Sequence, residues 1–266
     1  MKANSCRSAR FVGSAKKPCV VSAGTLATCL SVAALVAACG GQVSVRNETP
    51  SAGDGGPGST PSTGVPSGSI ATFGENRAGI VVFPPRPTAN TAPLAKFDGD
   101  WETLDCVSLA FDRAGFLYNL CYQFDAMGPP TRVLVFDASE GATREPVRTL
   151  TGPSTGLDER ATNIAVDANG YVYVIRDSPG SDGSILVFAP GADGDEAPVR
   201  TIRGSTTGLD FASTLALDAS RNLYVGIAEG GPILVFPPDA DGDVAPVRRI
   251  GAVQDIQSVG SLFVTG

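Results

Sequence analysis

Ile185-Leu-Val-Phe188 is one of four near-identical stretches that decide the fold of this chain. The other three are Ile80-Val-Val-Phe83, Val133-Leu-Val-Phe136 and Ile233-Leu-Val-Phe236. The four stretches begin 53, 52 and 48 residues apart, and a proline follows the first residue of each by 13 positions. Self-similarity at a period of about 50 residues indicates a repeat architecture.

Each complete repeat contains further segments typical of strands. A pair of them precedes the quoted stretch, as in Ile164-Ala-Val-Asp167 followed by Tyr171-Val-Tyr173, and a Pro-Val-Arg segment follows it. Short β-branched and aromatic runs separated by Gly, Pro and Asp turns predict strands joined by hairpins. Four strands in about 50 residues predict one blade of a β-propeller.

These units resemble the NHL-type repeats of six-bladed propellers, mainly through the Ile-Ala-Val-Asp…Gly…Val-Tyr-Val phrase. The resemblance covers residues 70–266 and implies an all-β propeller. The blade count departs from six, because we find complete blades only at about 106–152, 163–204 and 214–251. Strand segments near 70–97 and 256–265 are expected to combine into a fourth blade. A count of about four leaves open whether the ring closes within one chain or in an assembly.

The first 38 residues have the order of a signal peptide: a basic start, an apolar run from Val20 to Ala38, and small residues at its end. The end of the run, Leu35-Val-Ala-Ala-Cys39-Gly40, resembles a bacterial lipobox. That resemblance implies cleavage before Cys39, acylation of Cys39 and, since no Asp follows the cysteine, sorting to the outer membrane. The alternative is a true membrane span, which 19 apolar residues are long enough to form.

Residues 39–69 are crowded with Gly, Ser, Thr and Pro. Such a composition buries too little apolar surface to offset its ordering entropy and predicts a disordered tether. Fifteen of the 20 basic residues and all 27 acidic residues lie beyond residue 38, so the net charge there is −12. This acidic body argues against nucleic-acid binding and against any membrane contact except through the lipid anchor.

Only two of the six cysteines, Cys106 and Cys121, lie in the repeat region. They flank the turn Asp112-Arg-Ala-Gly115 symmetrically, and a plain four-residue turn places them directly opposite each other. A disulfide is therefore expected. The alternative is a bulge at Gly115, which shifts the register by one residue and separates the cysteines onto opposite faces.

Several repeated polar residues are expected to be structural. The acidic loops 193–195 and 239–243 are too short for a calcium loop and predict turns. Asp112, Asp167 and Asp218 are expected to accept hydrogen bonds within their own turns. Arg148, Arg200 and Arg248 are expected to face solvent or the carboxylates of neighbouring blades. The recurring phenylalanines are expected to form the core between blades, and no cofactor or metal is expected.

Two functions are open. The chain contains no histidine, which excludes His-dependent triads, and it shows no other catalytic pattern. The first function is therefore a binding scaffold for an unknown protein or envelope ligand. The second is a metal-dependent lactonase or lyase, an activity that some similar propellers have. The polar residues at its expected metal position form an uneven set: Asp105, Ser108, Asn163, Ser213, Thr214 and Gln257.

The predicted binding face follows from what differs between the repeats. The spacing from the tyrosine of the second strand to the third strand is 15, 12 and 9 residues, whereas the other spacings are constant. Variable loops on a constant scaffold are common binding sites. The longest one carries Tyr122, Phe124 and Met127, and Trp101 lies in a neighbouring link. The alternative is that Tyr122 and Phe124 only cap the central channel.

Overall fold

In the computed structural model of the chain, the strands form four antiparallel sheets of four strands each. The structure describes residues 43–45, 69–73, 80–88, 90–97, 104–123, 131–139, 145–177, 183–228, 230–251, 262 and 264. Each sheet is one blade of an all-β propeller, and its strands follow one another in chain order. Within the described residues, no helix has the length and hydropathy needed to cross a membrane.

The blades have the following bounds. Blade 1 contains β1 (Val43–Val45), β2 (Ile70–Phe73), β3 (Ile80–Phe83) and β4 (Ala95–Phe97). Blade 2 contains β5 (Leu104–Phe111), β6 (Phe116–Gln123), β7 (Thr131–Asp137) and β8 (Arg148–Leu150). Blade 3 contains β9 (Ala161–Val166), β10 (Val172–Arg176), β11 (Ser184–Phe188) and β12 (Arg200–Arg203). Blade 4 contains β13 (Ala212–Leu217), β14 (Leu223–Ile227), β15 (Ile233–Phe236) and β16 (Arg248–Ile250).

Blade 1 differs from the sequence prediction. Its first strand, Val43–Val45, pairs with β2 although it lies inside the segment predicted to be a structureless tether. The composition argument averaged about 30 residues, and a strand of three residues is too short for a periodicity test. The expected strands near 256–265 lie outside the described residues, apart from the half-buried Leu262 and Val264.

Three hydrophobic clusters join the blades in succession, between blades 1 and 2, 2 and 3, and 3 and 4. Phe136, Phe188 and Phe236 are fully buried, and each belongs to the cluster shared with the preceding blade. The prediction that the recurring phenylalanines form the core between blades is confirmed for these three. Phe83 in blade 1 is only half-buried.

Because the strands alternate in direction, each blade connects its strands on two opposite faces of the propeller. We call the turn face the one that carries the β5–β6, β9–β10 and β13–β14 turns. We call the loop face the opposite one, where the connections 124–130, 177–183 and 228–232 and the links between blades emerge.

The hairpin turns on the turn face are not the plain four-residue turns that the disulfide prediction assumed. Asp112 pairs with Phe116, and Gly115 adopts a left-handed conformation with φ of 94°. This is the bulged turn that the sequence analysis held as the alternative. Its equivalent in blade 3 has Gly170 at φ of 85°, whereas blade 4 places Arg221 there at φ of 64°.

A second bulge restores the register that the disulfide needs. The pairing runs Phe111 with Leu117 down to Ser108 with Leu120, then skips Val107 and continues with Cys106 opposite Cys121. The two cysteines form the expected disulfide, with their Cα atoms 3.9 Å apart. The same irregularity occurs in blades 3 and 4, so the second bulge belongs to the repeat.

Candidate functional site

On the turn face, one aspartate in each of blades 2 to 4 accepts hydrogen bonds from its own hairpin turn. Asp112 accepts a hydrogen bond from the main-chain N–H of Phe116 at 2.9 Å, and Asp167 accepts one from that of Tyr171 at 2.9 Å. Asp218 accepts the equivalent bond from Asn222 at 2.8 Å. These carboxylates therefore hold their own turns, as the sequence predicted.

Each of these aspartates also begins a chain of side-chain contacts. A tyrosine hydroxyl on the second strand donates to the carboxylate, and an arginine on the fourth strand donates to that hydroxyl. The three sets are Asp112, Tyr118 and Arg148; Asp167, Tyr173 and Arg200; and Asp218, Tyr224 and Arg248. The donor–acceptor distances lie between 3.1 and 3.4 Å.

The arginines of these chains lie over aromatic rings instead of pairing with carboxylates of a neighbouring blade. Arg148 stacks 5.2 Å from the ring centre of Phe116, and Arg200 lies 5.8 Å from that of Tyr171. Arg200 also donates to the main-chain oxygens of Pro238 and Ala240 in blade 4. Of the two predicted surroundings, solvent is correct for the exposed Arg248. Among the described residues, Arg148 and Arg200 contact ring faces, and Arg200 also contacts carbonyl oxygens, instead of carboxylates, because a planar guanidinium stacks on rings and donates to several acceptors at once.

The surroundings of these groups shift their pKa values in opposite directions. Burial raises the pKa of Tyr118 and of Tyr173, and the nearby Asp112 and Asp167 add to the effect. Burial also raises the pKa of Asp218, but hydrogen bonds from Asn222, Tyr224 and Ser220 outweigh it, and the net shift is downward. Tyr118 and Tyr173 therefore stay neutral and Asp218 stays charged near neutral pH, as a structural network requires.

The acidic loops join one blade to the next. Asp193 in blade 3 accepts a hydrogen bond from the main-chain N–H of Thr149 in blade 2, at 2.8 Å. Gly194 exchanges two main-chain hydrogen bonds with Thr149 and Thr151, both at 2.9 Å. Asp195 then accepts from the N–H and the hydroxyl of Ser154. We call this Asp-Gly-Asp loop a clasp, because it covers the outer strand of the preceding blade.

Blade 4 repeats the arrangement on β12 of blade 3. Asp241 accepts from the N–H of Thr201 at 2.9 Å, and Asp243 accepts from the N–H and hydroxyl of Thr206. The hydrogen bonds from Thr206 hold the pKa of Asp243 below its usual value. Sequence analysis predicted turns here but missed their partner blade. The signal was present in the paired Ser154-Thr155 and Thr206-Thr207 segments that follow the outer strands.

The first strands of the blades contain the residues considered for a metal site. Ser108 in β5 accepts a hydrogen bond from the N–H of Ile164 in β9 at 3.0 Å. Asn163 in β9 accepts one from the N–H of Leu215 in β13 at 3.3 Å. Both side chains thus connect neighbouring first strands.

The remaining metal candidates do not add a ligand set. Ser213 donates to the main-chain oxygen of Gly226, and Thr214 is buried. The main chain of Asp105 pairs with that of Tyr122, and Gln257 lies outside the described residues. Across the described residues, no group of three His, Cys, Asp or Glu side chains is placed to hold a metal.

On the loop face, blade 2 projects further than its neighbours. The connections 124–130 and 177–183 are equally long, and the extra length of blade 2 lies in β5 and β6, which have 8 residues each. The prediction of a longer loop was therefore incorrect at Cys121 and Tyr122, which belong to β6. β5 and β6 therefore extend further towards the loop face than β9 and β10 do.

Two contacts fix this projecting hairpin. The disulfide Cys106–Cys121 joins β5 and β6 near their ends on the loop face, opposite to their turn at 112–115. The half-buried Tyr122 donates its hydroxyl to the main-chain oxygen of Ala161 in blade 3. Phe124, Met127 and Trp101 lie outside the described residues, as does the proposed lipidation site Cys39. Of the predicted face, the structure therefore places Tyr122, at the boundary between blades 2 and 3.

Comparisons with known proteins show no matching family model and no matching curated relative. Similar solved structures include a protein of unknown function from Bacteroides caccae, with a TM-score of 0.47 and 13% identity over 71% of this chain. This chain covers 60% of that protein's length. They also include the PQQ-bound aldose sugar dehydrogenase from Streptomyces coelicolor, with a TM-score of 0.44 and 16% identity, covering 79% of this chain and 72% of the enzyme. At these TM-scores and identities the likenesses carry no argument about activity.

Proposed function

We propose that this chain is a lipid-anchored protein of the cell envelope that presents its propeller as a binding scaffold. The contact surface is the loop face around the blade 2 hairpin, with Trp101, Tyr122, Phe124 and Met127. The ligand is a protein or another envelope component, and the lipid on Cys39 is the only membrane contact. We propose the outer membrane as the site of anchoring where the cell has two membranes.

The observation that carries this proposal is the projecting hairpin of blade 2. Blades 2 to 4 share their turns and their aspartate–tyrosine–arginine chains, but among these three blades only blade 2 has a first strand pair of 8 residues each that is joined by a disulfide. A rigid projecting element loses little conformational entropy on binding, which favours affinity. Tyr122 serves this arrangement by fixing the hairpin to blade 3.

Site-specific photo-crosslinking in the producing cell tests the contact surface. We expect p-benzoylphenylalanine at position 124 or 127 to form a discrete crosslinked product, because these positions follow the end of β6. The matched controls are Ala114 and Asn169, which are exposed on the turn face and should give no product. Equal crosslinking from both faces, or from neither, would contradict a binding role of the loop face.

The anchor has its own test. A Cys39→Ser chain is expected to stay unprocessed and to lose labelling by a fatty-acid analogue, since acylation requires the thiol. Processing is read from electrophoretic mobility, and the labelled wild-type chain is the control. Mature protein of unchanged mobility and labelling would show that Cys39 is not the lipidation site.

A further inference from the structure

The outer strands of blades 2 and 3 are covered in the same way, whereas none of the described residues covers the outer strand of blade 4. Leu150 in β8 and Ile202 in β12 each form a parallel bridge with the clasp glycine of the next blade, Gly194 or Gly242. Their side chains are 2% and 1% exposed. The equivalent Ile250 in β16 is 40% exposed.

The main chain of β16 presents the groups that a clasp uses. Arg249 occupies the position of Thr149 and Thr201, whose N–H groups each donate to a clasp aspartate. Gly251 occupies the position of Thr151 and Arg203, whose N–H groups donate to the clasp glycine. An edge strand with outward N–H and C=O groups is a template for adding another strand.

The positive charge of β16 favours an acidic partner. Arg248 donates to the hydroxyl of Tyr224 at 3.1 Å, in the same way that Arg200 donates to that of Tyr173. Through its second terminal nitrogen, Arg200 also donates to the carbonyl oxygens of Pro238 and Ala240, which precede the blade 4 clasp that covers β12. Arg248 and Arg249 are both exposed, and the Arg249 guanidinium lies against Gly208 after β12. Two positive charges thus lie close to an edge that repeats the geometry of an acidic-clasp site.

We propose that β16 is a docking site for an acidic, glycine-containing turn of another protein, which pairs with it as Asp241-Gly242-Asp243 pairs with β12. This site is the side edge of blade 4 and not the loop face. The proposal is therefore independent of the binding function proposed above, and each can fail alone.

A second copy of this chain fits β16 poorly. Its two acidic clasps are already bound to β8 and β12. The equivalent segment of blade 1 has the same length but carries Arg86, Thr88 and Asn90 where blade 4 has aspartates, and Arg86 would repel Arg248 and Arg249. Antiparallel pairing of β16 with itself would also bring arginines together.

Amide hydrogen exchange of the complete mature protein provides the test, with a cyclic peptide of sequence Pro-Asp-Ala-Asp-Gly-Asp-Val-Ala as the probe. In the free protein we expect the amides of Arg249 and Gly251 to exchange at least about tenfold faster than those of Thr149, Thr151, Thr201 and Arg203. Adding the peptide should slow exchange at Arg249 and Gly251 only. A peptide with asparagine in place of its last two aspartates is the control and should have little effect.

Two variants separate main-chain pairing from simple charge attraction. Arg249→Pro removes the outward N–H, which an edge strand tolerates, and should abolish protection by the peptide. Arg249→Ala keeps the N–H and should weaken binding only a few-fold. Slow exchange at Arg249 in the free monomer would show that the chain covers its own edge, and a concentration-dependent dimer would identify a second copy as the occupant. Either result, or equal binding of both peptides, would overturn the proposal.

Discussion

Replacing Cys106 and Cys121 together with alanine is expected to lower the free energy of unfolding by about 3 kcal/mol. The disulfide closes a loop with a sequence separation of 15, and its loss restores that loop's freedom in the unfolded chain. For a domain of this size, we expect a decrease of about 6–12 °C in the melting temperature. Calorimetry or circular dichroism of the purified mature protein measures the change.

The wild-type protein under reducing conditions is the matched control for the double variant. Because Cys121 is fully buried and Cys106 half-buried, the reductant should be added to the unfolded protein before refolding. The two samples should then melt together. Two alkylated thiols per chain in the unreduced, denatured protein, or an unchanged melting temperature in the variant, would refute a stabilising disulfide.

Asn119→Val is expected to raise the free energy of unfolding by about 1–3 kcal/mol. Asn119 in β6 is fully buried between the cross-strand neighbours Leu109 and Leu134, and its side-chain amide has no hydrogen-bond partner among the described residues. Valine is somewhat larger than asparagine but has no polar atom to desolvate, and the equivalent positions of blades 3 and 4 hold valine. Denaturant unfolding measures the increase in the free energy of unfolding, provided that its slope against denaturant concentration is the same for the variant and the wild type.

The repeat supplies the reciprocal variant. Val174 and Val225 occupy the equivalent positions in β10 and β14 and are fully buried. Val174→Asn should therefore destabilise the protein by about 1–3 kcal/mol, because it creates the same unpaired amide in blade 3. If Asn119→Val were destabilising, Asn119 would have a partner or a bound water that the blade 2 interface requires.

The strands of blades 2 to 4 could be predicted from the sequence because each depends on local patterns that occur three times. The register of the strands within a blade could not be predicted from the sequence, although the disulfide was predicted correctly. The symmetric turn at Asp112 suggested the right pair, yet the actual turn is shifted by one residue at Gly115 and corrected at Val107. Two opposite bulges leave the same residues paired, so sequence symmetry alone does not reveal either of them.

Contacts between blades were the least predictable part. The main-chain partners of the turn aspartates lie within four residues and were assigned correctly. Asp193 and Asp241 bind main-chain groups 44 and 40 residues away, and the Arg200 guanidinium reaches carbonyls 38 and 40 residues away. Carbonyl and N–H groups are present at every position, so no residue type marks them as partners.

The candidate site was predictable only as a region. The differences in spacing indicated blade 2 correctly, but they could not distinguish a longer connection from longer strands. Whether the extra residues lengthen the connection or the strands depends on whether residues such as Cys121 and Tyr122 have cross-strand partners. Arg132 and Thr131 on β7 provide those partners, and neither has a side chain that marks it as one.

In a chain that lacks residues 1–38 and therefore folds where it is synthesised, the clasps also set the order in which the outer strands become protected. Thr149 leaves the ribosome 44 residues before Asp193, and Thr201 leaves it 40 residues before Asp241. At 5–20 residues per second, each finished blade waits about 2–9 s with its outer edge bare. Unprotected edges invite pairing between nascent chains. Slowed synthesis between Thr149 and Asp193 should therefore promote aggregation more than an equal delay before β5.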